Sequence, residues 1–95
     1  MPKGYWICHI DVRNADNYPD YLKAAKTASE QYGAKVLVRG GEYETVEGAS
    51  RSRHVVIEFE NYERALACYH SPEYQKAAEI RRLNSTGDII IVKGA

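Results

Sequence analysis

The sequence has no surplus of charge: 13 Lys plus Arg are balanced by 13 Asp plus Glu. A chain without a net field has no general attraction to nucleic acid or to an anionic membrane surface, so neither is expected as a partner. Long hydrophobic runs are also missing. The longest, Ile89–Val92, is far too short to span a bilayer. Cysteine is scarce: Cys8 and Cys68 are the two in the chain, and they lack CxxC or zinc-type spacing. Two lone cysteines make no disulfide framework; each is expected as a small buried hydrophobe. No apolar signal stretch precedes the first strand, so the expected location is cytoplasmic. There is no P-loop, dinucleotide fingerprint, HxH or HExxH pattern, and no low-complexity tract or fixed-period repeat.

What is abundant is tyrosine: eight Tyr stand beside one Trp and one Phe. Tyrosine buries a large ring and keeps a polar tip, which suits small cores, half-wet pockets and subunit interfaces. A chain of 95 residues is expected to form one domain, residues 1–95. At that size only roughly 60–65% of the unfolded surface is buried, which makes oligomerisation a natural source of further stability.

The stretch KVLVRGGEYETVEG (Lys35–Gly48) organises the chain. It reads as a strand over Ala34–Arg39, a Gly40-Gly41 break, a short strand extension over Glu42–Glu47 and a loop. Before it, Gly4–Val12 alternates as a strand, with Trp6, Cys8, Ile10 and Val12 on one face and Tyr5, Ile7, His9 and Asp11 on the other. Tyr18, Tyr21, Leu22, Ala25, Ala28 and Tyr32 then fall on one helical stripe, with Pro19 near its start and Gly33 beyond its end. After it, Arg53–Glu60 is a third strand, with Val55, Ile57 and Phe59 opposed to His54, Val56 and Glu58. Asn61 caps a helix, and Ser71-Pro72-Glu73 restarts it. Asn84–Gly87 reads as a turn, and Asp88–Lys93 as the last strand.

The order is βαββαβ, the ferredoxin-like α+β pattern: a four-stranded antiparallel sheet with helices on one face. The other face should mix Ile7, Leu37 and Val56 with Tyr5, His9, Arg39, His54 and Glu58. A solvated face has no need of those aliphatics, so a homodimer with two sheets packed face to face is expected.

Three sets of side chains suggest chemistry. Arg39 beside two glycines offers a guanidinium and free backbone N–H groups to a carboxylate or enolate; alternatively it pairs with Glu58 across a curved sheet. His9, His54 and Glu58 on one face could ligate a metal, shuttle a proton, or only stitch an interface. Tyr74 and Arg81 share a helix face across Ala77 and Ala78, leaving room for a flat ligand, with Tyr21 beside them. The plainer account of Arg81 is a salt bridge to Glu58 or Glu79.

VLVRGG, EG at 47–48, VVIEF at 55–59, ACYHSPEYQ at 67–75 with Arg81, and the opening GYWICHIDV together resemble the family named domain of unknown function 1330. The resemblance covers nearly the whole chain. Ala34, Asn14–Pro19 and Glu60-Asn61 depart from its usual turns. It implies the dimeric α/β barrel, whose relatives include cofactor-independent quinone-forming monooxygenases, haem-degrading enzymes, muconolactone isomerases and dye-decolourising peroxidases. The family itself has no agreed activity. The expectation is an enzyme with no organic cofactor, acting on a small aromatic or enolisable acid in a helix–sheet cleft. Arg39 or Arg81 would hold the anion, His9 or His54 would move a proton, and Glu58, Tyr74 and Tyr21 would line the site. The alternative is a non-catalytic small-molecule-binding homodimer. Haem ligated by His9 or His54 is a third reading.

Overall fold

The computed structural model describes residues 2–95, running β1 (Gly4–Val12), α1 (Tyr18–Gln31), β2 (Lys35–Arg39), β3 (Arg53–Phe59), α2 (Tyr62–His70), α3 (Pro72–Asn84) and β4 (Ser85–Lys93). The strands form one antiparallel sheet in the order β2-β3-β1-β4. This is the ferredoxin-like arrangement, with the second helix broken in two.

Each helix begins where local chemistry supplies a start. Pro19 occupies the first turn of α1, and Gly33 takes positive φ just past its end. The Asn61 side chain accepts from Arg64 N at 2.8 Å to cap α2. Ser71 caps α3 by accepting from Tyr74 N at 3.2 Å, with Pro72 next in line. The core lies between the sheet and the helices, where Trp6, Cys8, Ile10 and Phe59 meet Tyr18, Ala28, Ala65, Cys68, Tyr74, Ala77 and Ala78. Cys8 and Cys68 are both free and buried. Burial pushes the Cys8 thiol up to about 11 and the Cys68 thiol to about 12, so both stay protonated and unreactive at neutral pH.

Three expectations are corrected. First, Lys35 and Val36 pair with Glu58 and Ile57, but Val38 pairs with Val56 and Arg39 with Val55. Leu37 is therefore an extra residue, a β-bulge that reverses the alternation beyond it. Val38 joins the open face, and Arg39 turns to the helix side. Second, Glu42–Glu47 is not a strand. Gly40 takes φ +60°, a conformation closed to most residues, and directs the chain out of the sheet. The loop is re-anchored at Asp11, which accepts from Ser52 N at 2.9 Å and Arg51 Nη1 at 2.9 Å. Third, no turn separates α3 from β4. The final helical carbonyls are satisfied where they stand: the Arg13 guanidinium donates to Arg82 O at 3.0 Å, Arg13 N donates to Asn84 O at 2.8 Å, and Ser85 Oγ donates to Arg81 O at 2.7 Å. With those acceptors occupied, the chain passes directly from helix to strand.

One close approach fixes how α2 meets the sheet. A Cβ on Gly4 would lie 2.5 Å from the backbone oxygen of Asn61, at the entry to α2. Gly4→Ala should therefore destabilise the fold by about 1–3 kcal/mol, since backbone cannot swing aside as a side chain can. Urea unfolding measures it, and an unchanged midpoint would show that α2 is free to shift.

Candidate functional site

The helix-facing side of the sheet is not completely filled. Between α1 and strands β1–β3 lies a cavity of about 430 Å³, in the size range of small-ligand sites. Its walls are mostly apolar and aromatic, with Trp6, Ile10, Tyr18, Tyr21, Val55 and Tyr74 among them. Four cationic side chains also line it, Lys23, Lys26, Arg39 and Arg53, and no Asp, Glu or His does. In a chain with balanced charge, that segregation gives the cavity a local positive sign.

The sheet register explains it. The bulge at Leu37 brings Arg39 to this side, and Arg53 arrives by the same alternation that buries Val55 and Ile57. Arg53 was missed in the sequence reading, although its parity with Val55, Ile57 and Phe59 was a usable signal. Its guanidinium sits 5.8 Å from the centre of the Tyr18 ring, and its Nε is buried without a hydrogen-bond partner. The same guanidinium fills the space that a Cβ at Gly40 would need, so Gly40 serves both the turn and the placing of Arg53. Among the described residues neither Arg39 nor Arg53 forms an ion pair; the pairs are Lys26–Glu30, Arg51–Asp11 and Arg51–Asp88. The Arg39–Glu58 pairing is thus replaced by an exposed Arg39 at the cavity mouth.

Tyr21 and Tyr74 form the wall at the α1–α3 seam, with hydroxyls 2.9 Å apart. Burial pushes both phenols upward, Tyr21 well above its usual value, so both are neutral donors at physiological pH. Arg81 is buried at 7% exposure, with its Nε unpartnered. Its neighbours are Tyr74, Tyr21 and Tyr69, and neither a Glu58 nor a Glu79 salt bridge forms. A buried guanidinium beside phenols, lining a second, polar pocket with Arg13, Arg82 and Thr86 and without a carboxylate partner among the described residues, is an unusual use of a desolvated charge.

The open face of the sheet holds the other candidates. His9 and His54 are directly opposed across β1 and β3, with Nδ1 atoms 2.8 Å apart, so one ring must donate to the other. Tyr43 from the loop packs edge-on against His54, their ring centroids 4.6 Å apart. Glu58 lies further along the strand, opposite Tyr5, whose hydroxyl reaches it at 3.4 Å. The trio His9, His54 and Glu58 does not converge, and among the described residues no three His, Cys, Asp or Glu side chains cluster as metal ligands. Arg39, Tyr21, Tyr74 and Arg81 lie on the helix side of the sheet and His9, His54 and Glu58 on the other. The residues expected from sequence to share one site are divided between the two faces of the sheet.

The family described as domain of unknown function (DUF1330) matches residues 3–95. The chain belongs to that family. No curated protein matches it. Among solved structures, this DUF1330 chain is similar to a protein of unknown function from Rhodopseudomonas palustris, with TM-score 0.77 and 16% identity over 99% of this chain and 83% of the other. It is also similar to SnoaB, a cofactor-independent oxygenase from Streptomyces nogalater, with TM-score 0.67 and 10% identity over 100% and 95%. A dimeric ferredoxin-like protein of unknown function from Bacteroides fragilis gives 0.57 and 13% over 96% and 95%. At these identities the likeness establishes the shared fold of the DUF1330 chain. No helix among the described residues is long and apolar enough to cross a membrane.

Proposed function

We propose that this chain binds a small planar organic acid in the helix–sheet cavity and works as a homodimer whose open sheet faces pack together. The observation that carries the binding reading is the charge segregation: four cations and no acid around an apolar, tyrosine-rich cavity. The apolar walls take a flat ring, and Arg39 and Arg53 take its carboxylate or enolate oxygen. The dimer rests on the aliphatic residues left bare on the open face and on the dimeric neighbour from Bacteroides fragilis. Two free thiols suit a reducing, cytoplasmic setting.

The cofactor-independent oxygenase among the neighbours supports enzymatic use of the same cavity. The chemistry would then be of a particular kind. The imidazoles of His9 and His54 face away from the cavity, and its lining offers no carboxylate, so an acidic substrate must lose its proton without a strong protein base. The cations would stabilise the resulting enolate or phenolate. A non-catalytic binder is the second reading, favoured by that same missing base.

Thermal denaturation with 2-naphthoate tests the binding reading. At about 100-fold above Kd the acid should stabilise the fold by about 2.7 kcal/mol, raising Tm by roughly 10 °C or more. In Arg39→Ala/Arg53→Ala the Kd, measured directly by fluorescence, should rise roughly 10–100-fold. No shift at saturating acid, or an unchanged Kd in the double variant, would remove the cavity from consideration as an anion site.

A further inference from the structure

The distance between the Tyr21 and Tyr74 hydroxyls leaves either free to donate, but their surroundings decide the direction. Arg81 lies beside Tyr74, and a guanidinium has donors and no acceptor. The Tyr74 oxygen therefore faces a cation, and its proton is best placed toward Tyr21. The Tyr21 oxygen receives that proton, which leaves its own with no acceptor among the described residues. Tyr21 lines the cavity, so the unused donor is presented to whatever fills it.

The cavity thus has two polar anchors joined by apolar wall. One is the pair Arg39 and Arg53 on β2 and β3. The other is the Tyr21 hydroxyl at the seam where α3 packs over β1, with Tyr74 and Trp6 rings 4.8 Å apart. In the order β2-β3-β1-β4, the strand of Arg39 is two spacings from β1, about 10 Å, and the strand of Arg53 is one, about 5 Å. A one-ring acid held at Arg39 would leave the far anchor unused; a two-ring acid with an oxygen at each end would reach both.

We infer that the ligand is an extended planar acid carrying a second oxygen acceptor at its far end, and that Tyr21 reads that oxygen through a hydroxyl oriented by Tyr74 and Arg81. This rests on the cavity being an anion site and adds which anions it selects. Tyr21 is a specificity residue in this account, while Tyr74 and Arg81 are positioning residues that aim it. The role of Arg81 follows: a desolvated cation with no carboxylate partner holds the phenol pair in one of its two directions and strengthens the donor at its end.

Fluorescence titration of the full chain with 2-naphthoate and 6-hydroxy-2-naphthoate tests this. The wild type should bind the hydroxy acid about tenfold more tightly, the scale of one well-placed hydrogen bond in a desolvated site. Tyr21→Phe, which keeps the ring, should erase that preference and leave 2-naphthoate affinity within about twofold. Tyr74→Phe should weaken the preference, because Tyr21 then loses the donor that sets its direction. Equal affinity of the two acids for the wild type, or a preference that survives Tyr21→Phe, overturns the inference and leaves the anion cavity standing. Binding of neither acid overturns both. The wild-type comparison needs no variant, so a Tyr21→Phe chain that fails to fold leaves the claim falsifiable.

Discussion

Trp6→Ala should be among the most damaging single changes in this chain, costing about 3–5 kcal/mol of stability. Trp6 is 2% exposed in the first half of β1, with ring centroids 4.8 Å from Tyr74, 5.3 Å from Phe59 and 5.9 Å from Tyr69. It therefore touches α3, β3 and the end of α2 at once. Its Nε1 donates to Ala65 O at 2.9 Å, tying the first strand to α2 by a buried hydrogen bond. The indole also floors the helix–sheet cavity, so removing it enlarges that cavity instead of opening a gap that neighbours could close. Sites that cannot collapse lie at the upper end of the truncation range. A domain of this size has a total stability of about 5–14 kcal/mol, so the loss is between about a fifth and all of it. At about 4–8 °C per kcal/mol, Tm should fall by more than about 12 °C. Far-UV circular dichroism reads the transition, since the variant has no tryptophan. Trp6→Phe separates the contributions: it keeps an aromatic core and loses the Ala65 bond, at about 1–3 kcal/mol. A Tm for Trp6→Ala within about 5 °C of wild type would mean that the three elements hold together without the indole.

The parts of the molecule written in regular periods were legible in the sequence. Alternation in Gly4–Val12, the Pro19 and Pro72 helix starts and the Asn61 cap all act through nearest neighbours and stand as read, and the strand read as Arg53–Glu60 runs Arg53–Phe59. The bulge at Leu37 does not. A residue inserted into one strand is defined by its pairing with another, and nothing within VLVR distinguishes an extra Leu from an alternating one. The glycine pair that does mark irregularity comes three residues later. That single slip moved Arg39 to the wrong face, and with it the whole site: once Arg39 was counted beside His9 and His54, one cleft seemed to hold them all. The missing turn before β4 has a similar cause. Arg13, which closes the helix end, is about 70 positions away in sequence, |i−j| = 69 to Arg82. Arg53 is the opposite case. Its parity was readable, but an arginine at an apolar position is easily passed over where a Val or Ile would be counted.

A charge placed at Val56 should abolish the dimer without disturbing the fold. On the open face, Val38, Ile90 and Val92 are 41%, 55% and 39% exposed, and Ile7 and Val56 are half-buried between them. These side chains form one apolar strip across all four strands, since Val56 opposes both Ile7 and Val38, while Ile7 also opposes Ile90. Nothing among the described residues covers the strip, and a twofold pairing of sheets would bury it against itself. Val56 lies at its middle, away from the helix–sheet cavity on the other side. In a symmetric interface each substitution enters twice, so Val56→Lys buries two unpaired ammonium groups at a cost of several kcal/mol. The dimer Kd should rise by at least about 1,000-fold, and at micromolar concentration the variant should run as a monomer while the wild type runs as a dimer. Light scattering coupled to size exclusion makes the measurement, with circular dichroism to confirm the fold. His9→Ala/His54→Ala removes the imidazole pair from the same face; it should weaken the dimer and leave 2-naphthoate affinity in the cavity unchanged, because the sheet lies between the two. A wild type that is monomeric at micromolar concentration, or a Val56→Lys chain that remains dimeric, would show that the strip is not the contact surface. Loss of naphthoate binding in the histidine variant would show instead that the faces are coupled through the sheet, and that the two sites act as one.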